Sequence, residues 1–539
     1  MRRKKTRIST ILFCLGICLF ASCHKSSPSW DTQVLAPVVN ASLSINNIIT
    51  SNYIKNNPND SSVSLVFTDS LYNLNIDTLL TIPDTVLSYI DTNPLPIKYT
   101  VNPGTQIVYY QKTTTYPIST VQLTEGILKS GFLNFRVINP LSQPIDYTYK
   151  VLNVININNK GDTLGVTNVK ILPKDSLIEQ FSLANYRVDF TGPTHNGYND
   201  ITTRVSVTLD PSGSPITLVP NDTLAFAKVT FSNIIPSYVK GYFGTVVKTF
   251  DPQKVSFPVF NKIVSGSLNL QSVNANITIT NGFGVDASLT LPELVSYNSH
   301  TGISVALQDN ALINSTIHIN RAVPTNNPSS PVNPFVTTFS LNPSNSNVLS
   351  WLDNLPGSVI YKLQVETDPL GNVSGFNDFA YYGYGIQANI NVTIPLSLIA
   401  TNLTLADTLA VNFGGAGSTT QHVKSGTLTI YAANGFPFSA GIELYLLNKN
   451  NVVADSLFAP TQTIASGIIN NTTGIVTNPQ NSVLTIALDA AHTQELFNTK
   501  TLILYARFNM GTLPSTYRKI YDYYQLSVKM VGNFDYQIN

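Results

Sequence analysis

The chain has 539 residues with 31 Lys and Arg against 30 Asp and Glu, a formal charge of +1 that excludes a basic nucleic-acid-binding surface. Charged residues make up only 11 %, Asn occurs 57 times and Glu six times, a balance of strand and turn formers that excludes a helix-rich protein. A chain of this length exceeds one hydrophobic core, so several domains are expected.

Arg2, Arg3, Lys4, Lys5 and Arg7 precede an apolar run from Ile8 to Phe20, the charged and hydrophobic regions of a secretory signal. That run of 13 residues is shorter than the roughly 20 a membrane-spanning helix needs. Ala21 and Ser22 then lead to Cys23. The tetrapeptide Phe20-Ala21-Ser22-Cys23 resembles a bacterial lipobox, with Phe20 where Leu is usual. The resemblance implies a signal peptide over 1–22, cleavage before Cys23, and acylation of the Cys23 thiol as a membrane anchor. An ordinary secretory signal with an incidental cysteine is the alternative. Cys14 and Cys18 fall within the removed segment, so the expected mature chain has no thiol for disulfides, metal ligation or catalysis. It also loses five cations, leaving 26 bases against 30 acids. No Asp follows Cys23 in "CHKSSPSWD". Such an Asp retains some Gram-negative lipoproteins at the inner membrane, so the resemblance favours the outer membrane.

Further along, period-two alternation recurs in "SLVFTDSLYNLNIDTLL", "FLNFRVINP", "DITTRVSVTLDP", "TLAFAKVTFSN", "ANITITNGFG", "GIQANINVTIPL" and "YQLSVKMVGNFDY". Leu133, Phe135 and Val137 fall on one face and Asn134 and Arg136 on the other, as a half-buried antiparallel strand requires. Short strands between Asn, Gly and Pro turns predict an all-β protein of several antiparallel, immunoglobulin-like β-sandwich modules. Two stretches depart from this pattern. "NSNVLSWLDNLPGS" from Asn345 has near-helical apolar spacing, and "DAAHTQELFN" starts with Asp489 as an N-cap, so two short helices are expected. The expected division is an N-terminal β region at 23–122 and sandwiches at 123–228, 229–400 (with a short helix) and 401–539.

A repeat runs through these regions. "KSGFLNFRVINPLSQPIDYTY" from Lys129 matches "KSGTLTIYAANGFPFSAGIELY" from Lys424, bringing Asn139 onto Asn434. "VSGSLNL" from Val264 and the later "ITITNGFGVDASLTL" form a third copy, with Asn281 at the same place. Asn tolerates left-handed backbone and bonds its own turn, so these asparagines are read as folding residues. The strand, Asn-Pro or Asn-Gly turn, strand unit is similar to immunoglobulin-like modules of the late-embryogenesis-abundant type. More widely, Cys23 with "PSWDTQVLAPVVNASLSINNII", "VKGYFG" at Val239, "VSGSLNL" with "NITITNGFGV", and "NVLSWLDNLPGSVIYKLQVETDPLGN" resembles uncharacterised Bacteroidetes-type envelope lipoproteins. That resemblance implies no activity.

Asp followed by Ser or Thr and an aliphatic residue occurs eight times. This resembles the O-glycosylation signal of Bacteroidetes-type envelope proteins, which would place glycans on Ser70, Thr78, Thr85, Thr163, Ser176, Thr223, Thr408 and Ser456. The competing reading is that Asp ends a turn while Thr and Leu begin a strand. Tyrosines cluster at Tyr381, Tyr382 and Tyr384 and again at Tyr521, Tyr523 and Tyr524. A phenol ring with its hydroxyl suits sugar stacking and protein interfaces, and cross-strand Tyr pairs that stabilise a sheet are the plainer alternative.

Reactive constellations are missing from the pattern. "GNVSG" at Gly371 lacks nucleophile-elbow spacing. "FGGAGSTTQH" at Phe413 has no phosphate-loop lysine and reads as a flexible loop. The six His are scattered, and the six Glu offer no pair facing a sugar ring. Loop calcium at Asn57–Asp60 or Val219–Asp222 stays open as a minor reading, and no metal or other cofactor is expected. The expectation is a non-enzymatic, lipid-anchored envelope protein with a protein or glycan partner and no nucleic acid. A surface glycan-binding lipoprotein and a carrier of apolar ligands are the alternatives. An outer-membrane barrel is disfavoured by 31 prolines.

Overall fold

The computed structural model describes residues 30–75, 82–118, 120–160, 162–411, 421–458, 463–510 and 516–538. The signal segment, Cys23, Thr78 and most of the glycine-rich "FGGAGSTTQH" lie outside them. The fold is all-β, built from several antiparallel sheets that bury one face each, and every registered strand pair among the described residues is antiparallel.

Two compact units are present, each assembled from non-contiguous chain: one from the described residues of Met1–Leu65, Pro258–Gln271 and Pro395–Asn539, the other from Val66–Phe257 and Ser272–Ile394. In the first unit, a four-stranded sheet runs in the order Trp30–Ser44, Gln525–Ile538, Gln421–Asn434, Gln480–Leu488. Its companion sheet runs Ile263–Leu270, Ser397–Ala410, Thr501–Asn509, Ser439–Leu447, Val453–Phe458. Alternation decides which side chains are buried. Ile430, Met530 and Leu484 are inward in the four-stranded sheet, and Tyr431, Lys529 and Val483 beside them face out.

In the second unit, Gln122–Ile138 lies beside Thr223–Tyr242 in a ten-stranded sheet that also holds Ile145–Asn156 and Asp200–Leu209. Its interior is aromatic: Phe135, Tyr147 and Tyr149 are fully buried, with Phe135 and Tyr149 stacked at 5.2 Å between centroids. A five-stranded sheet centred on Ser358–Thr367 and Ala287–Tyr297 completes much of the remainder of the unit.

The expected helices form at Val348–Asp353 and Ala490–Asn498, and Asp489 caps the second by accepting from the His492 N–H. A third, Ile45–Ile48, carries a Ser44 and Asn47 capping box that the sequence reading passed over.

The three repeat asparagines occupy equivalent corners. Asn139, Asn281 and Asn434 are each fully buried at the end of a strand, and the chain crosses there to the next strand without pairing to it. Each side-chain oxygen accepts from the N–H two residues on, at Leu141, Phe283 and Phe436, at 2.9 Å in all three. Each amide nitrogen donates to the carbonyl four residues on, at Gln143 (2.9 Å), Val285 (2.9 Å) and Phe438 (2.7 Å). It donates also to a later segment, at Ile171, Asn320 and Ala465. The folding role holds, but its cause is the amide, because none of the three has positive φ. The corner leaves main-chain groups without ladder partners, and one buried carboxamide satisfies them. The Ser-Gly that precedes the corner answers a close approach. At Gly266 φ is +94° and an added Cβ would sit 2.1 Å from the Asn402 carbonyl oxygen. In the third copy, Gly266 belongs to the first unit and Asn281 to the second.

Candidate functional site

The tyrosine cluster is brought together with neighbours that use it. Tyr381 stands opposite Tyr238 across Asp378–Tyr381 and Thr223–Tyr242, with ring centroids 4.7 Å apart. Tyr384 packs on Phe379, Ala322 and Val332. Tyr382 is 41 % exposed, and the Lys129 ammonium lies 3.2 Å from its ring centroid, a cation–π contact over one face. The second cluster is also packed on itself: Tyr521 and Tyr523 stack at 5.5 Å, and the buried Tyr524 hydroxyl accepts from the Val476 N–H at 3.0 Å.

The candidate glycosylation hydroxyls sit at or in strands. Thr85, Thr163, Ser176 and Thr223 begin their strands, whereas Ser70, Thr408 and Ser456 lie within theirs. Ser70, Thr223 and Thr408 are exposed. Thr163 accepts a 2.8 Å bond from Lys150 Nζ, and Thr85 donates to the Pro83 carbonyl. Asp69, Asp175 and Asp455 each accept from the N–H of the following serine, which orients the Asp-Ser step.

The loops considered for calcium use their carboxylates internally. Asp60 accepts from the Ser62 N–H and hydroxyl, and Asp222 accepts from the Val219 N–H. Among the described residues no group of three or more His, Cys, Asp or Glu is placed to hold a metal ion.

Burial creates a carboxyl cluster elsewhere in the second unit. Asp378 is fully buried and paired with Arg321, which also donates to the Gly284 carbonyl. Asp286 accepts from the Arg321 N–H at 3.1 Å. Burial, followed by the Asp378 carboxylate, pushes the Asp368 carboxyl up to about 8, and Arg321 offsets this only in part.

Two concavities have contrasting sizes. In the second unit an apolar cavity of about 70 Å³ lies among Leu128, Val154, Leu164, Val188, Ile201 and Phe231. Tyr116 also lines it, and its hydroxyl is buried without a partner among the described residues. Engineered core cavities of roughly 150 Å³ hold benzene, and this space is about half that size. On the outward face of the four-stranded sheet in the first unit, a trough of about 400 Å³ is lined by Asn40, Tyr431, Asn481, Val483, Ser527 and Lys529 among others. The trough lies open to solvent along one side of the sheet.

No family model and no curated protein matches the chain. Among solved structures it is similar to a Parabacteroides distasonis protein provisionally described as secreted, at 12 % identity over 53 % of this chain and 82 % of that one, with a TM-score of 0.27. It is also similar to a triple-jelly-roll protein of an archaeal virus, at 9 % identity over 86 % of this chain and 93 % of that one, with a TM-score of 0.11. Infectious bursal disease virus VP2, in its subviral particle, aligns at 9 % identity over 92 % and 86 %, with a TM-score of 0.09. Overlaps this loose carry no functional assignment. No helix among the described residues is long and apolar enough to cross a membrane.

Tyr431 is the residue that sequence reasoning missed. It is a single aromatic in "TLTIYAANG", with no tyrosine beside it along the chain to mark it. The partners that make it part of a trough come from strands near residues 40, 481 and 527.

Proposed function

We propose that the protein is a lipid-anchored component of the cell envelope whose β modules have a non-enzymatic binding role. The observation that carries the binding role is the trough on the four-stranded sheet, an open concavity lined by an aromatic ring and by polar side chains with no bond inside the protein among the described residues. The anchoring half rests on the Phe20–Cys23 signature and on the 13-residue apolar run before it. Two or three acyl chains on Cys23 would hold the chain on a bilayer, since lipid burial contributes about 0.8 kcal/mol per CH₂. The outer membrane is the proposed location.

Growth of the native host with labelled palmitate tests the anchor. Label is expected in the wild-type protein and absent from a Cys23→Ala variant, which is expected to leave the membrane fraction. Equal labelling of both would sink the anchor.

Glycosylation is proposed at the exposed hydroxyls of the Asp-Ser/Thr-aliphatic sites, with Ser70, Thr223 and Thr408 the most accessible among the described residues. The mature protein is then expected to be heavier than the sequence from Cys23 plus lipid, with the excess lost on Ser70→Ala, Thr223→Val and Thr408→Val substitution. An intact mass equal to polypeptide plus lipid removes this part of the proposal.

A further inference from the structure

The trough on the four-stranded sheet is built by register. Asn40, Lys529, Tyr431 and Val483 stand side by side in one row across the four strands. Ser42, Ser527, Ala433 and Asn481 form the next row on the same face. Rows on one face are about 7 Å apart and four strands span about 14 Å. Small side chains at Ser527 and Ala433 beside the Tyr431 ring leave the depression, so its depth follows from residue size at alternate positions. Tyr431 is 50 % exposed and Val483 63 % exposed.

Three features of the rows point to a ligand. The ring of Tyr431 offers an apolar face bordered by hydrogen-bonding groups, the combination that recognises a pyranose. The side chains of Asn40, Asn481, Ser527 and Lys529 make no hydrogen bond within the protein among the described residues. A polar residue on a sheet face can do so, as where Asn134 accepts from Gln180 at 2.7 Å. Finally, Lys529 has no acidic partner among the described residues, and the lining holds no carboxylate, so the trough carries one uncompensated positive charge.

We infer that this trough binds an oligosaccharide bearing carboxylates, a uronate-containing chain, with a sugar ring stacked on Tyr431 and a carboxylate held by Lys529. Asn40, Asn481 and Ser527 bond ring hydroxyls on either side. The inference rests on the binding role proposed above and supplies its ligand class. It does not depend on the lipid, because every residue it uses belongs to the β-sheet of the first unit and none carries the acyl group.

The test is calorimetric titration of the full-length protein in detergent with oligogalacturonate and with a neutral malto-oligosaccharide of equal length. The expected result is binding of oligogalacturonate, weakened about tenfold or more by Tyr431→Ala and by Lys529→Met and retained by Tyr431→Phe. Melting temperatures are expected to stay unchanged, because half-exposed sheet-face residues contribute little to stability. Weak or no binding of the neutral chain supports the charge assignment. Equal binding of both sugars overturns that assignment, and so does an unaffected Lys529→Met variant. Binding of neither sugar, or affinity unchanged in Tyr431→Ala, overturns the site. Palmitate labelling reads the anchor separately: its loss with sugar binding intact removes the anchor and leaves the site, and the reverse result removes the site alone.

Discussion

Replacing Asn434 by alanine is expected to destabilise the first unit by about 3 kcal/mol or more. The side chain is fully buried and makes three hydrogen bonds: from the Phe436 N–H at 2.9 Å, to the Phe438 carbonyl at 2.7 Å and to the Ala465 carbonyl at 2.9 Å. Alanine leaves one N–H and two carbonyls facing a small void. A buried polar group without a partner costs about 1–3 kcal/mol, so even two such groups reach the stated size. Asn434→Asp separates the contributions. It keeps the acceptor for Phe436 but sets a carboxylate against two carbonyl oxygens, so it is expected to destabilise at neutral pH and to recover in part when protonated. Asn281→Ala and Asn139→Ala are expected to act alike, since their bonds repeat the same pattern. Urea unfolding followed by near-ultraviolet circular dichroism measures this. A change below about 0.5 kcal/mol for Asn434→Ala, the size usual for surface substitutions, would show that the corner is held by packing alone.

These corners also show what can be read from a sequence. The repeat exposed Asn139, Asn281 and Asn434 because a buried amide that bonds i+2 and i+4 is a local device, and local devices leave fixed spacings. Alternation was legible for the same reason: "LTIYAAN" places Leu428, Ile430 and Ala432 inward and Tyr431 outward whatever strand lies beside them. Pairing is not local. Trp30–Ser44 pairs with Gln525–Ile538 from the far end of the chain, in register from Trp30 opposite Ile538 to Ser44 opposite Gln525. Backbone hydrogen bonds carry no residue code, so nothing in either strand names the other, and units assembled from separated segments do not show as compositional boundaries. The trough was hidden by the same non-locality. Asn40, Tyr431, Asn481 and Ser527 are unremarkable singly and become a site only through three interstrand registers. The visible cluster at Tyr381 to Tyr384 supplies a cross-strand pair with Tyr238 and a ring beneath Lys129. Chain proximity is a poor guide in a sheet protein, where neighbours in sequence point to opposite faces.

The stability of the second unit is expected to fall as pH rises from about 4 to about 8, and Asp368→Asn is expected to flatten this fall and raise stability at pH 8. Asp368 and Asp378 are both buried, and each keeps one carboxyl oxygen without a partner among the described residues. Arg321 pairs with Asp378 and, through its N–H, bonds Asp286. The guanidinium therefore pairs with Asp378 and acts on the Asp368 carboxyl by its charge, while Asp286 is held by the main chain. Burial and the neighbouring Asp378 carboxylate raise Asp368 from the ordinary value to about 8 in the folded protein. Between those two values the folded chain holds a proton that the unfolded chain has released, so unfolding becomes easier with each step up in pH. The linkage slope for one such group is at most about 1.4 kcal/mol per pH unit. Asparagine carries no charge to lose and accepts the left-handed backbone at Asp368, where φ is +46°. Arg321→Met should act in the opposite sense, costing about 3–5 kcal/mol at neutral pH by leaving the Asp378 carboxylate buried and unpaired. Urea midpoints between pH 4 and pH 9 for the three proteins decide the matter. Parallel pH profiles for wild type and Asp368→Asn would mean that Asp368 is ionised throughout and that Arg321 outweighs burial.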